Sequence, residues 1–432
     1  MLRITHVDRE LVAFALPALG GLAIDPLVSL VDTAFVGRLG ASSLAALGIN
    51  TSLFSLAFFG FNFLANATTP MISTALGQRR HEHAGDVAVQ ALCLAWLLGL
   101  LLMGVLITLA VPLLELMGAD DGLLPPAVAY LRIRALAAPA LLTLVASRGI
   151  FYGHGDARTV LRVVTVLNLV NLVLDPLFIF GFGWGLAGAA WATTLAQYVG
   201  ASWFVGTFVR FPARFAIRWQ VPTLSALAPL LKSGSLLTVR TFVLILTMSL
   251  ATAVAARVSV VTVAAHQVVS QVWLLMALTL DALAETAKTL VPRYADNDRK
   301  RAKAIANRAL YWSIVVGIGL GCMFALFRPL LIRIFTDDPE VIRAVAAVFP
   351  FIVFTQPLNG LVFVWDGIFM GLNRWSFLAL AMIVSCAAAA LVLLLVLPFG
   401  WGLTGVWWGM VVLIAARAIT FTVPYRRYLQ TP

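Results

Sequence analysis

Long apolar runs, each ended by a short cluster of charged, Gly or Pro residues, recur from one end of this 432-residue chain to the other. Many reach about 20 residues, the length at which a helix crosses the hydrocarbon core of a bilayer while satisfying its own backbone. The pattern predicts helices near 11–37, 45–72, 88–116, 126–152, 160–181 and 185–209, then near 230–256, 262–291, 307–334, 344–371, 376–398 and 401–423. That is about twelve spans, six in each half. The expected fold is therefore an all-α polytopic membrane protein built from two six-helix bundles.

The two halves are copies of one another. Phe182-Gly183-Trp184-Gly185-Leu186-Ala187-Gly188 returns 217 residues later as Phe399-Gly400-Trp401-Gly402-Leu403-Thr404-Gly405. At nearly the same offset, Pro112 to Asp121 matches Pro329 to Asp338, and Arg148 to Gly153 matches Asp366 to Gly371. Membrane-embedded repeats are a signature of transporters, whose substrate path lies at the repeat interface. The domain reading is an N-lobe at 1–209, a linker at 210–229 holding Pro212, Pro222 and Pro229, and a C-lobe at 230–432.

Composition agrees with a membrane setting. Hydrophobic residues make up 61%, charged residues only 11%, and the mean hydropathy is +0.97, against about 25% charged residues in soluble domains. The net charge of +11 does not indicate nucleic acid, because the basic residues fall in alternate loops: Arg79 and Arg80; Arg158 and Arg162; Arg210, Arg214 and Arg218; Arg293 and Arg299 to Lys303; Arg374; Arg426 and Arg427. With Arg3 and Arg9 at the start, the positive-inside rule puts both termini in the cytoplasm. The intervening loops include the acidic pairs Asp120-Asp121 and Asp337-Asp338. The first apolar run is too long for a signal-peptide core and carries two aspartates, so no cleavable signal is expected. Cys93, Cys322 and Cys386 each sit inside an apolar run, which argues for packing rather than disulfides.

The exceptions to apolarity are where chemistry is expected, since a carboxylate at mid-bilayer depth costs about 2.5–3.5 kcal/mol on insertion scales. Asp25 and Asp32 lie two turns apart on one face of the first helix. Asn168, Asn171 and Asp175 form a stripe on the fifth. Neither Asp32 nor Asp175 has a basic residue beside it in sequence. Membrane carboxyls of this kind can load and release protons, the requirement of a proton-coupled carrier. Glu285, by contrast, has Lys288 on the same face to neutralise it. Asp281 is open between roles. Asp366, whose duplicated position holds Arg148, is open between a cross-lobe ion pair and a substrate contact, and Arg240 is a candidate partner for one of the acids.

Several motif matches fail on context. Gly183-x-Gly185-x-x-Gly188 and its copy at Gly400 fit a dinucleotide pattern but follow no predicted strand and precede no suitably spaced acid; they read as tight turns and close packing at hairpins. His81-Glu82-His83 lacks the spacing of a metalloprotease helix. No P-loop is present, so an ion gradient is the expected driving force.

The run Asp25-Pro26-Leu27-Val28-Ser29-Leu30-Val31-Asp32-Thr33, together with Asn171-Leu172-Val173-Leu174-Asp175-Pro176, resembles the multidrug and toxic compound extrusion (MATE) family, and more narrowly its DinF-like branch. The resemblance covers essentially the whole chain. It implies a V-shaped fold of two lobes, no enzymatic activity, and antiport of organic cationic or amphipathic compounds against H⁺, or less readily Na⁺, by alternating access. The coupling residues it implies are Asp32, Asp175, Asn171 and Thr193, with Asp25 on the same helix face, and bending of the first helix at Pro17 and Pro26. No cofactor beyond the coupling ion is implied. The expected partners are a small-molecule substrate and the bilayer, with a monomeric protein in a bacterial inner membrane. Candidate cavity residues are Asn168, Phe58, Phe61, Phe151, Trp273, Met276, Asp366, Phe369, Met370 and Arg240, the apolar ones also readable as packing. The alternatives are an organic-anion exporter, kept open by Arg240, and a lipid or lipid-linked saccharide flippase.

Overall fold

The computed structural model describes residues 5–120 and 122–430; Arg3 and Asp121 lie outside them. The chain is helical from end to end, with no strand among the described residues. It divides by internal contacts into a first unit, Leu16–Gly234, and a second unit that combines Ser235 onward with the residues up to Ala15. The break thus falls a few residues beyond the expected 210–229 linker.

The first unit holds most of α1 (His6–Gly37), then α2 (Ala41–Phe59), α3 (Phe63–Gly77), α4 (His81–Thr108), α5 (Ala110–Leu116), α6 (Leu124–Ala135), α7 (Ala138–Gly153), α8 (Ala157–Pro176), α9 (Gly185–Arg210) and the short α10 (Pro212–Phe215). The second holds most of α11 (Leu224–Val258), then α12 (Val260–Ala295), α13 (Arg299–Phe335), α14 (Pro339–Gly371), α15 (Trp375–Val396) and α16 (Gly402–Gln430). Duplication is visible in the packing. In the first unit α3, α4 and α7 pack on one another, α8 pairs with α9, and α7 touches α9; in the second, α12, α13 and α14 pack together, α15 pairs with α16, and α14 touches α16.

Ten helical spans among the described residues are long and apolar enough to cross a bilayer, one of them running through a 3₁₀ turn, and α6 with α7, bent by 47°, makes an eleventh. The remaining expected span, α9, has 26 residues, about 39 Å at 1.5 Å per residue, but its Gly, Ala, Ser and Thr content keeps its hydropathy low. Two spans predicted as single helices are broken. The 45–72 run is interrupted by a 3₁₀ turn at Gly60–Asn62, and the 126–152 run bends just ahead of Pro139, which sits in the first turn of α7. Leucines such as Leu97, Leu101, Leu391 and Leu394 remain exposed on the outer faces, as lipid-facing positions require.

The glycine motifs at the two hairpins have a conformational cause. Gly183 and Gly185 take φ of 70° and 55°, and Gly400 and Gly402 take 62° and 56°, values that a side chain would strain. The flanking aromatics pack locally: the rings of Phe182 and Trp184 lie 5.3 Å apart and tilted, those of Phe399 and Trp401 5.4 Å apart and stacked. All four are exposed, as suits interfacial anchors.

The start of α1 belongs to the second unit because Asp8 is buried there. Its carboxylate, 1% exposed, accepts from Arg308, from Trp312 Nε1 at 2.7 Å and from Thr5 Oγ1 at 2.8 Å. Glu10 accepts from Arg301 Nη2 at 2.9 Å and from the Tyr294 hydroxyl at 3.1 Å. The change of unit at Ala15 comes just before Pro17, which removes the amide donor to the Ala13 carbonyl.

Close approach at Gly188 sets the α8–α9 hairpin: a Cβ there would lie 2.7 Å from the Phe178 backbone. Gly188→Leu is expected to cost about 1–3 kcal/mol or more and to lower the yield of monodisperse protein in size-exclusion chromatography, whereas Gly206→Leu, with open space around it, is tolerated.

Candidate functional site

The first unit encloses a cavity of about 410 Å³ reached by α1, α2, α6, α7, α8 and α9. The two polar stripes meet across it. From α1 come Asp25, Ser29, Asp32 and Thr33; from α8 come Asn168 and Asn171, both nearly buried. Asn168 Nδ2 donates to Asp25 Oδ1 at 2.7 Å and to the Val164 carbonyl at 2.9 Å. Asn171 Nδ2 donates to Asp175 Oδ2 at 2.8 Å. Asp175 is fully buried, and its carboxyl group faces that of Asp32. A hydrogen bond between two carboxyl groups needs a proton on one of them. The Oδ1 atoms of both lack any other partner.

Local backbone supports this geometry. Pro26 leaves the Leu22 carbonyl without its helical donor one residue after Asp25. Pro176 follows Asp175, and α8 then passes into a π-helical turn over Leu177–Gly181; such turns are frequent at functional sites. Thr193 on α9 lines the cavity and spends its hydroxyl on the Ala189 carbonyl at 3.0 Å.

Two arginines enter that sequence reasoning missed. Arg134, near the end of α6, donates to Gln197 Oε1 at 3.0 Å, lies over the Phe54 ring at 5.3 Å and faces Tyr130, Asp32 and Asp175. Arg148 on α7 faces Asp25. Neither Asp32 nor Asp175 has a base beside it in sequence; the base that faces them arrives from another helix. The signal was present, since Arg134 and Arg148 both interrupt the apolar run at 126–152. With three carboxyl groups against two guanidiniums, the site carries one excess negative charge when all are ionised.

The candidate apolar lining distributes differently. Phe54, not Phe58, reaches the cavity, with Phe58 stacked behind it at 5.7 Å. Phe61 lies in the 3₁₀ turn, half-buried. Phe151 is fully buried in a cluster with Phe204, Phe208 and Phe215, and so is packing rather than lining. In the second unit, Met276 is core, Phe369 and Met370 are buried, and Trp273 borders a separate small cavity.

The second unit's charges form a balanced cluster. Asp366 Oδ2 accepts from both Arg240 and Arg417, so its ion pairs lie within its own unit rather than with the other repeat. Glu285 pairs with Lys288, and Asp281 faces Arg240, Arg417, Glu285 and Lys288. Arg417, a lone charge inside the last apolar run, was overlooked in sequence for the same reason as Arg134. At the other end of the first unit, Glu82 of the His-Glu-His run pairs with Arg218.

A family model, MatE, matches residues 17–177 and 237–401. Protein DETOXIFICATION 44, chloroplastic, of Arabidopsis thaliana is 33% identical over 436 residues, 96% of this chain and 82% of the relative. DNA damage-inducible protein F of Escherichia coli is 25% identical, covering 98% and 93%. Among solved structures, a MATE protein in the bent conformation superposes with a TM-score of 0.90 at 23% identity over 98% of this chain and 96% of the other, and an outward-facing multidrug resistance MATE transporter with 0.89 at 23% over 98% and 97%.

Removing one member of a buried ion pair costs about 3–5 kcal/mol. Asp366→Asn, which takes from buried Arg417 and half-buried Arg240 the carboxylate they share, is expected to lower the midpoint of thermal unfolding in detergent, followed by tryptophan fluorescence, by far more than Asp32→Asn, whose side chain opens onto the cavity.

Proposed function

Because the chain belongs to the MatE family of multidrug and toxic compound extrusion transporters, a multi-pass membrane transporter and not an enzyme, we propose that it is an H⁺-coupled antiporter exporting organic cationic or amphipathic compounds. The observation that carries this reading is the Asp32–Asp175 carboxyl pair, facing one another beside a cavity that Asp32 lines and that is large enough for an organic molecule. Two carboxyl groups in contact share one proton. A cationic substrate entering the same cavity competes with that proton for the excess negative charge, so the two occupy the site in turn. Competition of this kind makes a downhill proton expel an uphill substrate.

Arg134 supports H⁺ over Na⁺. A hard metal cation needs several oxygen ligands, whereas a guanidinium already faces this carboxyl pair. The balanced charges of the second unit support a cationic rather than an anionic substrate, since Arg240, Arg417 and Lys288 all face carboxylates. Bending of α1 at Pro17 and Pro26 would link protonation to access. The alternate basic loops support cytoplasmic termini. Each charge moved through 100 mV is worth about 2.3 kcal/mol, and each pH unit about 1.4 kcal/mol per proton, so one electrogenic exchange sustains a gradient of roughly 50-fold from that voltage alone.

Proteoliposomes loaded with a fluorescent lipophilic cation, under an imposed pH gradient in sodium-free buffer, test the reading. Wild-type protein is expected to move the dye, and Asp32→Asn to lose at least 10-fold in initial rate with no rescue by sodium. Movement that follows a sodium gradient and ignores pH would sink the proton assignment; accumulation of an anionic dye instead would sink the substrate class.

A further inference from the structure

One helix, α1, is shared by the two units: its turns up to Ala15 belong to the second, and from Leu16 it belongs to the first. At its start a single carboxylate is gripped from several sides. Arg308 reaches both oxygens of Asp8, with Nη2 on Oδ2 at 2.9 Å; Trp312 Nε1 donates to Oδ1 at 2.7 Å, and the Thr5 amide and hydroxyl donate to Oδ2 at 2.6 and 2.8 Å. Glu10 adds a second fixing point, where Arg301 donates to the carboxylate at 2.9 Å and lies over the Tyr294 ring at 4.2 Å. From Gly20 onward the helix lies against the first unit. A Cβ at Gly20 would come 2.9 Å from Leu161 of α8, and one at Gly21 3.7 Å from the Tyr152 hydroxyl of α7. Asp25 and Asp32 then line the charged cavity. Pro17 and Pro26, each of which removes a backbone donor and loosens the helix, both lie between the gripped start and Asp32.

We propose that Asp8 is a positioning residue for the exchange of substrate and ion, the fixed point through which a bend of α1 at Pro17 or Pro26 is passed to α13. A helix free at one end relieves a bend by swinging that end through its surroundings, whereas a helix held at both ends displaces whatever holds it. The two-pronged bond between a guanidinium and a carboxylate is directional as well as strong, so the first turn of α1 cannot pivot on Arg308 without breaking it. Asp8 is 1% exposed, and its donors come from α13 and from Thr5 just ahead of the helix. Occupancy of the cavity changes the charge borne at Asp32, about 36 Å along the same helix at 1.5 Å per residue; the anchor decides where the resulting bend is felt. The inference rests on the exchange proposed above, but not on which ion drives it.

The test uses the full-length protein and a fluorescent lipophilic cation as probe. Binding is measured by anisotropy in detergent, and transport in proteoliposomes under whichever gradient, proton or sodium, moves the dye in wild type. Asp8→Asn keeps the size of the side chain and an oxygen for Trp312 but removes the charge that Arg308 grips. It is expected to bind the dye with wild-type stoichiometry and a Kd within about 2-fold, and to transport it with an unchanged KM and a maximal rate at least 10-fold lower. Glu82→Gln, which breaks an ion pair with Arg218 away from α1, is expected to transport at the wild-type rate. Trp312→Phe, which removes one donor and leaves the charge pair, is expected to slow transport several-fold with binding intact, and decides the question should Asp8→Asn not fold. Asp8→Asn turning over at the wild-type rate, or losing binding sites in proportion to its lost rate, marks a contact that serves only the fold and overturns the proposal. Where Asp8→Asn does not fold, wild-type transport by Trp312→Phe overturns it equally. Wild-type protein that moves the dye on neither gradient overturns the exchange itself, and this inference with it.

Discussion

A charge inside an apolar slab cannot be left alone, and most of what is specific in this molecule follows from that constraint. The second unit meets it by balance, with Asp366 held by Arg240 and Arg417, and Glu285 by Lys288. The first meets it incompletely. Asp25, Asp32 and Asp175 outnumber Arg134 and Arg148 around one cavity, and the proposed exchange of a proton for a cation rests on that deficit. Duplication supplied one scaffold twice; the distribution of a few charges made one copy a quiet ion-pair cluster and the other an unbalanced cavity. The exchange of Arg148 for Asp366 at equivalent positions is the plainest trace of that divergence.

Much of this was legible in the chain because it is local. Apolar runs mark helices whose backbones must be self-satisfied, and the repeated Phe-Gly-Trp-Gly hairpins mark the two units. The i, i+7 spacing of Asp25 and Asp32 and the stripe from Asn168 to Asp175 placed polar faces on two helices, and those faces do meet. What the pattern could not give is the partner from a third helix. Arg134 approaches Asp32 from α6, a helix far from both polar stripes in sequence, just ahead of the 47° bend into α7. The same blindness hid Arg417. Arg134 and Arg417 sit in runs as apolar as those of the acids, and the electrostatic argument has no preferred sign. Phe151 shows the converse failure, since an aromatic on a helix has no local mark that separates a cavity wall from a core.

The two cavities divide labour along the same line. One is roomy, charged and lined by residues from helices with prolines and a π-helical turn. The other is small and neutral, with Ser270, Thr355, Asn359 and Trp407 as its polar features among the described residues. A ligand therefore meets opposite chemistry in the two units, even though both descend from the same six-helix plan.

The attachment of Asp8 to Arg308 has a consequence for the order in which the molecule is made. The aspartate is synthesised 300 residues before the arginine that receives it, so the first turns of α1 leave the ribosome with a carboxylate whose partner does not yet exist. While the first unit is being threaded into the membrane, its leading helix has an unanchored end, and the second unit cannot close its own polar surface until the oldest part of the chain comes back to it. A protein divided at the linker into two fragments would thus not yield two self-sufficient modules. The later fragment would lack a piece of itself that only the earlier one carries.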